Sequence, residues 1–209
     1  KLIKKECKKY QNPIVTKISN LTKDPFKVLV SCILSLRTKD KTTAKASKKL
    51  FKVADTPNKI LKLNTKQIEK LIYPVGFYKT KAKNLKLICE DLIKKHNGKV
   101  PKKEEALLNL KGVGRKTMGI VMCYGFNQKS YIPVDTHVHR ISNRLGWVKT
   151  KIPEQTEQGL YKLIPKKHWR DINNLFVTFG QNVCVPISPF CSRCPVRRYC
   201  PRIGVKLSR

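Results

Sequence analysis

The sequence predicts an all-α protein that ends in a cysteine-held loop. Capping signals cut the chain into short amphipathic segments with apolar residues at helical spacing, and no stretch alternates apolar and polar residues as a strand does. After Gly180 the periodicity gives way to proline, cysteine and arginine. With 209 residues, 40% of them hydrophobic, the chain is long and apolar enough for one large domain or two small ones.

Taken in order, Asp24-Pro25 reads as an N-cap followed by proline at the first helical position, opening a helix that carries Phe26, Leu29, Val30, Ile33 and Leu34 on one face. Thr56-Pro57 repeats the device before Ile60, Leu61 and Leu63, and Thr65 starts a segment with Ile68, Leu71 and Ile72. A longer helix carries Leu85, Ile88, Cys89, Leu92 and Ile93 until Asn97-Gly98 stops it. Pro101 is expected to start a helix through Leu110, which Gly112-Val113-Gly114 interrupts before Met118, Val121, Met122 and Gly125 resume the spacing. Asp135 opens a helix through Leu145, and Trp169 to Phe179 forms the last substantial one.

Charge narrows the function. The chain has 46 Lys and Arg against 13 Asp and Glu, a formal net charge of +33, and these residues are spread along its length. Polyanions are the natural partners, nucleic acid first, because each neutralised phosphate releases condensed counterions. A Lys-rich surface that binds nothing is the alternative reading of the charge. No window approaches the run of about 18 apolar residues that a membrane span needs.

Cys184, Cys191, Cys194 and Cys200 form a C-x6-C-x2-C-x5-C cluster, whereas Cys7, Cys32, Cys89 and Cys123 sit singly in apolar helical faces, as reduced core cysteines do. That split argues against disulfides and for a reducing cytoplasm. Zinc ribbons usually show two C-x2-C pairs, and only one is present here. The uneven loops favour a [4Fe-4S] cluster over zinc.

The run LKGVGRKT, Leu110 to Thr117, joins two helices through glycines and leaves backbone N–H groups free at the start of the second helix. Such a terminus grips phosphate without reading sequence. Lys116 falls in the first turn of that helix, where the positive end of the dipole and neighbouring Arg115 disfavour an ammonium, the condition under which a lysine amine becomes a nucleophile. Read singly, it is one more solvated lysine. Asp135, delivered by the apolar run Ile132-Pro133-Val134, is an N-cap by local sequence, or a carboxylate that takes a proton from Lys116 and stabilises positive charge on a sugar.

LKGVGRKT, IPVDTHVHR (Ile132 to Arg140) and the four-cysteine pattern together resemble the helix-hairpin-helix DNA glycosylases, and among them the endonuclease III family. ILSLRTKD (Ile33 to Asp40) and GFYKTKAKN (Gly76 to Asn84) extend the likeness, so that it covers the chain from about Phe26 to Cys200. The resemblance implies a six-helix barrel domain at 21–129, with the helix-hairpin-helix at about 102–125, and an iron–sulfur cluster domain made of 1–20 and 130–209, the active site lying in the cleft between them. It implies a bifunctional glycosylase and AP lyase that removes oxidised pyrimidines of the thymine glycol type from double-stranded DNA. Lys116 is then the nucleophile and Asp135 its carboxylate partner, acting on a nucleotide rotated out of the duplex. By the same resemblance Gly112, Val113, Gly114, Arg115, His137, Arg193 and Arg197 contact DNA, Ser35 and Asp40 line the substrate pocket, and Cys184, Cys191, Cys194 and Cys200 hold the cluster.

Departures from the family pattern are informative. Arg37 stands where the family usually has Gln and Phe77 where it often has Leu, both positions that fill the gap left by the extruded base. The loop Val185 to Phe190 lacks the basic residues often found there, for which Arg193, Arg197, Arg198 and Arg202 are the substitutes. The alternatives are a mismatch-specific glycosylase of the same superfamily, against which Lys116 argues, and a nonenzymatic DNA-binding module stabilised by zinc. A monomer in the cytoplasm, associated with the nucleoid, is expected. Because the chain begins at Lys1, a nuclear or organellar address upstream stays open.

Overall fold

The computed structural model describes residues 1–209 as twelve α-helices with no strand. They are α1 (Leu2–Cys7), α2 (Ile14–Thr22), α3 (Pro25–Ser35), α4 (Asp40–Val53), α5 (Pro57–Leu61), α6 (Thr65–Ile72), α7 (Tyr78–His96), α8 (Glu104–Leu108), α9 (Arg115–Ile120), α10 (Thr136–Arg144), α11 (Pro153–Leu163) and α12 (Trp169–Asn182). No helix is long and apolar enough to cross a membrane.

Side chains mark several helix starts. The Asp24 carboxylate accepts the Phe26 N–H at 2.8 Å while Pro25 occupies the first helical position of α3. The Thr56 hydroxyl accepts the Lys59 N–H at 3.3 Å at the head of α5. At α6, Asn64 accepts the Gln67 N–H at 2.9 Å and the Gln67 amide oxygen accepts the Asn64 N–H at 2.8 Å, a reciprocal capping box. Helix α7 stops where Asn97 and Gly98 turn left-handed, at φ 50° and 72°.

The helices form two compact units. One runs from Ile14 to Asn127 and is built on α3, whose residues from Val28 to Leu34 are buried beneath α2, α4, α7 and α9. Helix α7 packs on α5 and α6 through Ala82, Leu85, Ile88, Cys89 and Leu92. The other unit joins Lys1–Pro13 to Gln128–Arg209. Its core is Cys7 of α1 with Val138 and Ile141 of α10, Leu160 of α11, and Ile172, Phe176 and Phe179 of α12, against which Cys184, Cys194 and Cys200 pack.

Three details depart from the sequence expectation. The unit containing the hairpin begins at Ile14, not residue 21, because α2 packs on α3 and α4 and the Ser19 hydroxyl donates to the Tyr124 carbonyl at 2.7 Å. The helix expected from Pro101 is only Glu104–Leu108; Lys103 supplies no side-chain cap, and residues 101–103 are not helical. Helix α9 runs on into a π-helical turn, Val121–Gly125, and local irregularities of this kind gather at functional sites.

Because the two bonds of the Asn64 box close one turn together, Asn64→Ala should cost about 1 kcal/mol of stability. In thermal unfolding, the double variant with Gln67→Ala should lose little more than Asn64→Ala alone.

Candidate functional site

The hairpin is anchored by its apolar residues and opened by its glycines. Leu110 and Val113 are buried, whereas Gly112 and Gly114 are exposed. Gly112 sits at φ 77°, where a side chain is strained, and a Cβ there would lie 3.0 Å from the Asn84 amide nitrogen. Gly114 needs no special conformation, but nothing lies within 4 Å of where its Cβ would be. Backbone can therefore be approached closely at Gly114, the N-cap of α9, which makes no side-chain capping bond. Lys116 is the second residue of α9 and half-buried, and the next residue, Thr117, is buried with its hydroxyl 3.7 Å from the Cys32 thiol.

Arg37 and Phe77 come together. The Arg37 guanidinium carbon lies 5.1 Å from the centre of the Phe77 ring, and both residues are exposed. Both also have positive φ, 53° and 57°, left-handed backbone that a non-glycine residue adopts at a cost of about 1 kcal/mol or more. Two exposed side chains are thus paired across two turns of strained backbone. Ser35 and Asp40 lie to either side of Arg37 in sequence. The Ser35 hydroxyl donates to the Cys32 carbonyl at 2.7 Å, and the Asp40 carboxylate accepts the Ile14 N–H at 3.2 Å at the start of α2. The turns bearing Arg37 and Phe77 also meet a residue that motif reading quoted but did not single out, Lys81, which is buried.

In the other unit Asp135 is the N-cap that local sequence suggests. One carboxylate oxygen accepts the N–H groups of His137 and Val138, both at 2.9 Å, and the residue is buried. The preceding apolar run is held by Asn173, which donates to the Pro133 carbonyl at 2.8 Å. His137 is half-buried, and its Nδ1 lies 3.1 Å from Arg140; a guanidinium can only donate, so Nδ1 is the acceptor. Lys116 and Asp135 thus belong to different units.

Two arginines of α10 reach into the cysteine loop. Arg140 donates to the carbonyls of Gly180 at 3.2 Å and Cys184 at 2.8 Å. Arg144, one turn on, donates to the Cys184 sulfur at 3.4 Å and to the carbonyls of Val185 and Pro186 at 2.7 and 2.6 Å. Sequence analysis missed both roles, although the i, i+4 spacing was visible. All four loop cysteines are free thiols lining one pocket with Ile141, Leu145, Phe179, Val183 and Phe190. No three His, Cys, Asp or Glu side chains converge closely enough to hold a single metal ion. Burial pushes the Cys194 and Cys200 thiols up from their ordinary pKa, and Cys7 and Cys89, in the two cores, rise to about 11 and about 12. Arg193 stacks over Phe190 at 4.1 Å and donates to the Asn182 carbonyl at 3.1 Å, while Arg197 is exposed in a 3-10 turn.

Comparisons with known proteins agree with this arrangement of motifs. A profile of the HhH-GPD superfamily of base excision DNA repair proteins matches residues 30–166. The chain is 49% identical over 177 residues to endonuclease III of Thermotoga maritima, covering 85% of this chain and 83% of that protein. It is 42% identical over 184 residues to the chloroplastic endonuclease III homolog 2 of Arabidopsis thaliana, covering 84% of this chain but 48% of that one, about half its length. Among solved structures, a trapped endonuclease III–DNA covalent intermediate in an estranged-adenine complex superposes with a TM-score of 0.81 at 32% identity, covering 90% of this chain and 93% of that one.

The double cap made by Asp135 separates its structural from its chemical contribution. Asp135→Asn keeps an acceptor for both N–H groups and should unfold within a few degrees of the parent. Asp135→Ala loses both bonds and should be less stable by about 1–2 kcal/mol.

Proposed function

The chain belongs to the HhH-GPD superfamily of base excision DNA repair proteins, and within it to endonuclease III, and on that premise we propose that Lys116 and Asp135 carry its chemistry. It is a bifunctional DNA glycosylase and AP lyase that acts on damaged DNA. The observation that supports Lys116 is its position: a half-buried amine in the first turn of α9, next to a glycine hairpin that leaves the backbone open to a phosphate. A covalent intermediate with DNA, the state in which the solved relative was trapped, needs a nucleophile whose bond to carbon can later be undone. A lysine amine meets that need, because the imine it forms is hydrolysed by water.

In this reading the free amine of Lys116 attacks C1′ of the extruded nucleotide, and the proton it loses as the bond forms goes to the departing base. The base departs with the electron pair of the glycosidic bond. The sugar ring opens to a Schiff base, loss of a C2′ proton expels the 3′ phosphate, and water releases the lysine. Asp135 offsets positive charge as it develops on the sugar, where a fixed carboxylate in a buried setting is most effective. Its position is set by the two N–H groups it caps. Oxidised pyrimidines of the thymine glycol type are the proposed substrates, with Ser35 and Asp40 at the rim of their pocket. Arg37 and Phe77 fill the gap that extrusion leaves, and their exposed side chains, paired on strained backbone, support that assignment. The hairpin from Gly112 to Arg115, with His137, Arg193 and Arg197, holds the DNA backbone.

Cys184, Cys191, Cys194 and Cys200 are the proposed ligands of a [4Fe-4S] cluster. Four free thiols line one apolar pocket, and their uneven spacing with a single C-x2-C suits a polynuclear group better than mononuclear zinc. Bound there, the cluster would cross-link a loop that has almost no helical structure of its own, while Arg140 and Arg144 hold that loop to α10.

Lys116→Gln should abolish borohydride trapping on an abasic duplex and slow strand scission by roughly a thousandfold or more, while leaving duplex affinity within a few-fold. Undiminished trapping would remove Lys116 from the role. For the cluster, metal and sulfide analysis of anaerobically purified protein should find about four iron and four sulfide per chain. Cys191→Ser should lower both and reduce duplex binding, whereas stoichiometric zinc without iron would overturn the assignment.

A further inference from the structure

Lys81 is unusual in a chain whose charge otherwise faces solvent. It is 6% exposed, and its ammonium donates to three acceptors, the Leu34 carbonyl at 3.0 Å, the Leu36 carbonyl at 2.5 Å and the Thr38 hydroxyl oxygen at 3.2 Å. All three are neutral. Desolvation brings the Lys81 pKa down to about 8, so the group is still protonated at neutral pH. Three donors meet three acceptors, which a neutral amine with two N–H groups cannot match.

The acceptors explain the burial. Leu34 and Leu36 end α3, where carbonyls lack helical partners. Thr38 adds a second tie: its hydroxyl donates to the Leu36 carbonyl at 3.2 Å and accepts the Gly76 N–H at 3.1 Å. At Gly76 a Cβ would lie 2.7 Å from the Arg37 carbonyl, so the two turns touch backbone to backbone. The Lys81 N–H in turn donates to the Phe77 carbonyl at 3.0 Å in the first turn of α7. One residue therefore bonds the backbone of Phe77 through its main chain and both flanks of Arg37 through its side chain.

We propose that Lys81 is a positioning residue: its ammonium clamps the turn at 36–38 against the turn at 76–77, sets Arg37 beside Phe77, and so presents the pair that fills the gap in the duplex. The inference rests on the assignment of Arg37 and Phe77 to that gap. Being buried, Lys81 acts only through that pair.

Lys81→Met keeps the length and the apolar stem and removes every side-chain donor. Hydrogen exchange at Arg37, Thr38, Gly76 and Phe77 should quicken by about tenfold or more, with no change at the hairpin amides 112–115. Single-turnover excision of thymine glycol paired with adenine should fall about tenfold, while strand scission at a preformed abasic site stays within about twofold. Combined with Phe77→Ala, it should cost no more than Phe77→Ala alone, because both act through one pair. Unchanged exchange, equal losses on the two substrates, or losses that multiply in the double variant would each overturn the proposal. If Phe77→Ala and Arg37→Ala leave thymine glycol excision unchanged while exchange quickens in Lys81→Met, the gap assignment falls and the clamp stands as a structural tie only. Thr38→Val deletes only the shared hydroxyl and serves if Lys81→Met does not fold. The same pattern at several-fold amplitude supports the clamp, and unchanged exchange there overturns it.

Discussion

An α-helix leaves about four N–H groups at its start and four carbonyls at its end without partners, and a fold made only of helices meets that constraint at every turn of the chain. In this chain the groups assigned to chemistry sit at those ends. Asp135 satisfies two amides of α10, and the same bonds hold the carboxylate still. The start of α9 makes no side-chain capping bond and is bordered by a glycine with open space around it, so an external anion can take the place of a cap. At the end of α3 the orphan carbonyls accept from Lys81. Capping, anion binding and the clamp are three solutions to one deficit.

The loop after Gly180 has the same deficit without a helix to confine it. Its carbonyls at Cys184, Val185 and Pro186 accept from Arg140 and Arg144, which project from one face of α10. Because α10 is the helix capped by Asp135, a single rigid element fixes the carboxylate at one end and the cysteine loop along its length. The guanidinium near the Cys184 sulfur supplies positive charge where ligating thiolates would gather negative charge.

What the sequence disclosed depended on whether a signal is local. The caps at Asp24, Thr56 and Asp135, the glycine hairpin and the cysteine spacing each lie within a few residues and were legible. Helices α4 and α11 were not. Their buried faces are Thr43, Ala46, Ser47 and Leu50, and Thr156, Glu157 and Leu160, too small or polar to show apolar periodicity. Positive φ at Arg37 and Phe77 was invisible for a related reason, since side chains at left-handed positions are chosen against locally and are held there only by surroundings distant in sequence. Lys81 is the extreme case. Among 46 basic residues nothing local distinguishes it, and its acceptors lie 43 to 47 positions away.

That one buried lysine also clarifies the net charge. Even if each of the 13 acidic residues paired with a different base, 46 − 13 = 33 basic residues would remain unpaired. Such a field attracts any duplex and weakens with salt, but it cannot tell a damaged nucleotide from an intact one. Discrimination has to come from groups that do not move when the duplex arrives, and a charge on a flexible surface stem cannot supply that. Burial against three fixed acceptors removes the freedom of Lys81 and transfers its rigidity to two exposed side chains. The lysines outside bring DNA to the protein, and the lysine inside determines the shape that the DNA meets.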